Sequence, residues 1–138
     1  MKRIYVFLPM LMMVATLALA ACGPKTTTTE KINPSSLEPI DGSELQRVIL
    51  TEKAAERIGV ETVPASEMTV PYAAVIYDTE GNTWVYTNPE PLTFVRAPIV
   101  IDRIEGDQAF LAEKLETSAP IVTVGVIEIY GTETGVSK

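Results

Sequence analysis

The chain contains no histidine, one cysteine and one tryptophan, and its 18 aspartates and glutamates outnumber its 11 lysines and arginines. Without histidine, the usual catalytic triads and Cys/His metal sites lack their parts. One cysteine cannot form a disulfide within the chain, so a packed core must supply the stability. The shortage of bases argues against a phosphate-contacting surface, and therefore against a nucleic-acid partner. No glycine-rich phosphate loop and no internal repeat is present.

What the chain does have begins at its N-terminus. Lys2 and Arg3 form a short basic region, and the run from Ile4 to Ala21 carries no charge. Position and flanks make this a secretory signal, with the positive charge holding its start on the cytoplasmic side. The run closes on Leu19-Ala20-Ala21-Cys22, which resembles the lipobox of bacterial lipoproteins. Small Ala20 and Ala21 suit a peptidase, and the Cys22 thiol is the nucleophile that accepts diacylglycerol. The expectation is that residues 1–21 are removed and that acylated Cys22 anchors the protein to membrane lipid. Losing Lys2 and Arg3 takes the formal charge from −7 to −9, which disfavours electrostatic adhesion to anionic lipid. Attachment then rests on the acyl chains, and more than one chain is needed to make it stable. The implied location is the extracytoplasmic side of the cell envelope. Gly23 stands where inner-membrane retention favours aspartate, and the choice between inner and outer membrane stays open.

Residues 22–44 read as a lipidated flexible tether. Gly23-Pro24-Lys25 followed by Thr26 to Thr29, then Pro34-Ser35-Ser36 and Asp41-Gly42-Ser43, offers little apolar surface to offset the entropy of ordering.

Residues 45–138 read as one small, mainly β domain, an antiparallel β-sandwich or roll with one short helix. Val48-Ile49-Leu50 is an apolar strand. Thr51 is placed to cap a helix over residues 52–58, with Glu52 in its first turn and Gly59 as its stop. Val60 to Val63 resumes an extended pattern. Met68 to Tyr77 reads as a strand with Pro71 marking an edge or bulge. Asp78 to Asn82 is turn chemistry, so Thr83 to Thr87 folds back as a hairpin arm. Asn88 to Pro91 makes a second turn and Glu105-Gly106-Asp107 a third. Thr93 to Asp102 alternates, Gln108 to Ala112 is a short strand, and Ile121 to Tyr130 reads as a last long strand.

Val70-Pro71-Tyr72-Ala73-Ala74-Val75, Gly81 to Tyr86, Phe94-Val95-Arg96 and Ile121 to Gly131 occur in the order seen in one family. Residues 68–136 thereby resemble the membrane-proximal segment of periplasmic adaptors (membrane fusion proteins) of tripartite efflux pumps. Residues 48–65 are similar to the lead-in that precedes the family's barrel. In that family, barrel, lipoyl-like and helical-hairpin domains follow the lead-in, whereas here only six residues separate Val63 from Val70. The resemblance implies a non-catalytic, lipid-anchored module that contacts a membrane transporter or a full-length adaptor. It directs attention to the two hairpin turns, at Asn82 and Glu90, and to Arg96 as the partner-facing residues.

Other chemistry is weaker. Asp102, Glu105 and Asp107 surround Gly106, but their spacing is not that of an EF-hand, and acids around a glycine fit a solvated turn. Glu128 reads as a solvent-facing residue between inward Ile127 and Ile129. Tyr72, Trp84 and Tyr86 read as core or cross-strand packing rather than a ligand platform. No metal, cofactor or catalytic residue is assigned. A free-standing ligand-binding or envelope-structural lipoprotein is the alternative reading, and a small hydrolase built on carboxylates a third.

Overall fold

A computed structural model describes residues 33–135, so the signal segment and Cys22 lie outside the described residues. The described chain is mainly antiparallel β, as its alternating patterns and turn chemistry require. Its strands are β1 (Ser35–Pro39), β2 (Gln46–Leu50), β3 (Glu61–Val63), β4 (Thr69–Pro71), β5 (Ile76–Tyr77), β6 (Thr83–Glu90), β7 (Thr93–Ile99), β8 (Ile101–Glu105), β9 (Gln108–Leu111) and β10 (Ile121–Val124). Two helices join them, α1 (Glu52–Ile58) and α2 (Val126–Thr134).

The larger sheet runs β1-β2-β7-β6-β10-β3, with β5 paired to β6, and a smaller sheet runs β4-β9-β8. Alternation along β6 sends Val85 to one face and Tyr86 to the other. Val85, Ile99 and Ile121 pack with Val70, Ala109 and Leu111 of the smaller sheet. On the opposite face Tyr86, Val48, Phe94 and Val122 pack with Ala54, Val126 and Ile129 of the helices. The large sheet is therefore the middle of three layers, with helices on one side and the small sheet on the other.

Local signals place α1. The Thr51 hydroxyl accepts from the Ala54 amide at 3.2 Å. At the far end Gly59, in the left-handed region at φ 71°, donates to the Ala55 and Glu56 carbonyls. Both caps satisfy backbone groups that the helix itself leaves open.

Three readings of the sequence need correction. Ile121 to Tyr130 is not one strand: β10 stops at Val124 and Gly125, at φ 85°, turns the chain into α2. The deciding pattern is Val126, Ile129, Tyr130 and Glu133, spaced to form one helical face turned toward the sheet. Glu128 consequently sits on the outer face of a helix, and Ile127, expected inside, is 67% exposed while Ile129 is fully buried. Second, the folded unit begins at residue 33 rather than 45. Ser35–Pro39 pairs in register with Gln46–Leu50 as an edge strand, which needs backbone partners more than apolar side chains. Third, the expected strand from Met68 to Tyr77 is broken by a 3-10 turn at Tyr72–Ala74. The chain thereby crosses from the small sheet at β4 to the large one at β5.

Candidate functional site

The β5–β6 turn is built around one carboxylate. Asp78 accepts from the backbone amides of Glu80 (2.9 Å) and Asn82 (2.8 Å), from the Asn82 side-chain amide (2.9 Å) and from the Trp84 indole N–H (2.9 Å). These donors, led by the Asn82 side chain and then Trp84, hold the Asp78 carboxyl down to about 2. Asn82 is thus at the exposed tip, as the turn chemistry implies, but its amide is engaged in holding the turn.

Trp84 leads from this turn to a second cluster. The Arg96 guanidinium lies 4.8 Å from the Trp84 ring centre and 5.7 Å from that of Tyr130. Its Nε pairs with both carboxylate oxygens of Glu133, at 3.1 and 2.9 Å, and the Tyr86 hydroxyl donates to the same carboxylate. The Glu133 side chain is 4% exposed and that of Arg96 15%. Burial first, and then the Glu133 contact, push the Tyr86 phenol well above the usual tyrosine range. The resemblance pointed to Arg96 as partner-facing; in the structure its charge is matched in a largely buried bridge that ties α2 to the sheet.

Glu90 lies at the other end of β6 from Asn82, which for a strand of this length is about 25 Å away. Its carbonyl accepts from the Asn88 side chain at 2.7 Å, and its side chain is exposed. The three sequence-predicted contact residues therefore do not converge: Asn82 and Glu90 mark opposite ends of the hairpin, and Arg96 lies between them under α2.

The aromatic trio also separates, with Tyr86 in the core, Trp84 half-buried and Tyr72 exposed on the 3-10 turn. Around Gly106, Arg103 bridges Glu105 at 2.7 Å and Asp102 at 3.1 Å while its guanidinium covers the Phe110 ring at 4.1 Å. All three charged groups are solvated. Among the described residues, no group of three or more His, Cys, Asp or Glu side chains is arranged to hold a metal ion. Nor is any described helix long and apolar enough to cross a membrane.

One surface feature joins Asn82 to residues the sequence did not single out. A groove of about 650 Å³ is lined by Tyr77, Asn82, Trp84, Pro98, Val100 and Ile101 among others. Tyr77 and Val100 are half exposed there. The signal was present in principle, since Tyr77 and Trp84 flank the first turn and Pro98-Ile99-Val100 breaks the β7–β8 run. Only the pairing of Thr83 with Ile99 and Trp84 with Pro98 brings the two segments side by side.

No protein-family model, curated protein or solved structure matches this chain.

Proposed function

We propose that this protein is a lipid-anchored, adaptor-like binding module of the bacterial cell envelope that contacts a membrane transporter assembly and carries out no chemistry of its own. The lipobox-like Leu19 to Cys22 supports the anchor. The observation that carries the binding role is the disposition of the domain's polar chemistry. The buried Glu133 carboxylate is consumed with Arg96 and Tyr86 in fastening α2, while Tyr77, Val100, Ile104 and Ile127 stand exposed at the surface. These side chains lie on different layers, Ile127 on α2 and Ile104 on the small sheet, and each supplies apolar area that a protein partner can cover.

The anchor is tested by Cys22→Ala in a membrane-fractionated cell lysate with detergent phase partition. The wild-type protein is expected in the detergent phase at a mass consistent with removal of residues 1–21 and acylation. The variant is expected as an unacylated precursor. Equal partition of both into the aqueous phase contradicts the anchor.

A further inference from the structure

Strand β1 is held by one neighbouring strand and by little else. Among the described residues it pairs with β2 alone. Ser36 to Pro39 are all exposed, Leu37 among them at 41%. Its ion pair, Glu38 with Arg47 at 3.6 Å, joins two exposed side chains and so adds little. The turn into β2 closes through the Ile40 amide on the Leu45 carbonyl at 3.3 Å and the Leu45 amide on the exposed Ser43 hydroxyl at 3.1 Å. β2 is the opposite case, since its Val48 and Leu50 belong to the core and it is also paired with β7. β1 therefore contributes a backbone ladder and almost no buried apolar area, and its release costs far less than unfolding the domain.

The ladder gives that release a direct signature. The Thr51 amide donates to the Pro34 carbonyl at 2.9 Å, toward β1, while the Leu50 amide donates to the Leu92 carbonyl at 2.9 Å, toward β7. Antiparallel ladders alternate along a strand. The pairs Ser36↔Ile49 and Glu38↔Arg47 thus turn the Ile49 and Arg47 amides to β1, and Val48, opposite Phe94, turns its amide to β7. One strand carries two sets of amides, one sheltered by β1 alone and the other by the interior of the sheet.

β1 also stands between the residues read as a tether and the rest of the domain. Paired, it fixes the chain at Pro34; released, it leaves the chain next fixed at Gln46, where β2 begins. The stretch between holds about 40 Å of extended chain at roughly 3.3 Å per residue. Its Ser35, Ser36, Pro39, Asp41, Gly42 and Ser43 suit unpaired chain as well as they suit an edge strand.

We propose that β1 is a releasable strap: it peels from β2 while the rest of the domain stays folded, and its release lengthens the link between the domain and its lipid anchor. The proposal deepens the adaptor-like reading and rests on it for the anchor at Cys22. A module with two tether lengths engages partners at two heights above the membrane without rearranging its core.

Hydrogen exchange of the full acylated protein in a non-ionic detergent, resolved by NMR at single amides, tests the peeling. The Arg47, Ile49 and Thr51 amides are expected to exchange about tenfold or more faster than those of Val48 and Leu50, with little dependence on low urea, as a local opening requires. Ser36→Pro removes a donor from the ladder. It should strip the remaining protection from Arg47, Ile49 and Thr51, while Val48 and Leu50 stay protected and urea unfolding stays cooperative. The lengthening is read in phosphatidylcholine vesicles, by energy transfer from Trp84, the only tryptophan, to a dansyl-labelled lipid. Transfer should be lower in Ser36→Pro than in the wild type. The proposal is overturned if all five amides exchange at one rate with one urea dependence, if Ser36→Pro abolishes the cooperative transition, or if transfer is equal in the two proteins. Detergent phase partition of Cys22→Ala decides the anchor separately, so a failed strap and a failed anchor are told apart.

Discussion

Replacing Glu133 with alanine is expected to destabilise the domain by about 3 kcal/mol, read as a lower urea midpoint followed by Trp84 fluorescence. The change deletes the partner of Arg96 and the acceptor of the Tyr86 hydroxyl in one step. Both stranded groups are largely or wholly shielded from water, where an unpaired charge or hydroxyl is costly. Arg96→Ala should be similarly damaging because it strands Glu133. The double variant Arg96→Leu, Glu133→Leu should lose less than the two single losses combined, since each single change already breaks the shared bridge. Alkaline pH gives a second readout. The Tyr86 phenol is held neutral in the folded state by burial and by Glu133, against an ordinary value of 10.0. Its contribution is fully present below pH 10 and declines as pH rises beyond that, because only the unfolded chain ionises there. Glu133→Ala removes one cause of the raised value but leaves burial, the larger one, so the alkaline decline should persist in the variant.

Gly125→Val is expected to cost about 2 to 4 kcal/mol, from left-handed backbone strain together with overpacking. Gly125 holds φ at +85°, and a Cβ there would lie 2.5 Å from Cγ2 of Ile58 and 3.2 Å from Cγ2 of Val60. The strand-to-helix corner thus closes directly onto the end of α1. Gly135, at the other end of α2, is the control. Its φ of +74° carries the same backbone strain, but a Cβ meets nothing within 4 Å. Gly135→Val should therefore cost only the strain component, about 1 to 2 kcal/mol. A melting temperature lowered equally by both substitutions would show that contact with Ile58 and Val60 contributes nothing.

These two positions also show where the sequence was legible and where it was not. Helix α1 was readable to the residue because both its signals are local: Thr51 caps its own next turn and Gly59 closes it. Helix α2 was not. Ile121 to Tyr130 is rich in β-branched residues, and strand propensity on such a run is strong until tertiary packing overrides it. The 3.6-residue spacing of Val126, Ile129, Tyr130 and Glu133 becomes visible only when the charged Glu133 is admitted to the inward face. Nothing local licenses that, since its partner Arg96 is 37 residues away in the chain. Strand β1 escaped for the opposite reason. Ser35–Pro39 sits at a sheet edge with little burial, so its composition matches that of a tether while its backbone is fully laddered to β2. The candidate contact residues followed the same division. The turn at Asn82 was found from its own chemistry; the second was placed too early, since Asn88 to Glu90 belong to β6 and the chain turns at Pro91 and Leu92. The groove was not legible, because it needs β7 brought alongside β6.

The central claim, a lipid-anchored module that works by touching a transporter assembly, is tested most directly by photo-crosslinking in cells. The crosslinking side chain is placed at Val100, in the groove, and at Glu90, at the opposite end of β6; both are exposed, and Asn82 is spared because its amide holds the turn. The account predicts one dominant crosslinked species from Val100, containing an integral membrane transporter or a full-length adaptor and lost in the Cys22→Ala background. That species obtained from Glu90 and not from Val100 would keep the adaptor-like role and move the contact away from the groove. Crosslinks absent from both positions, or spread over abundant envelope proteins, would contradict the account.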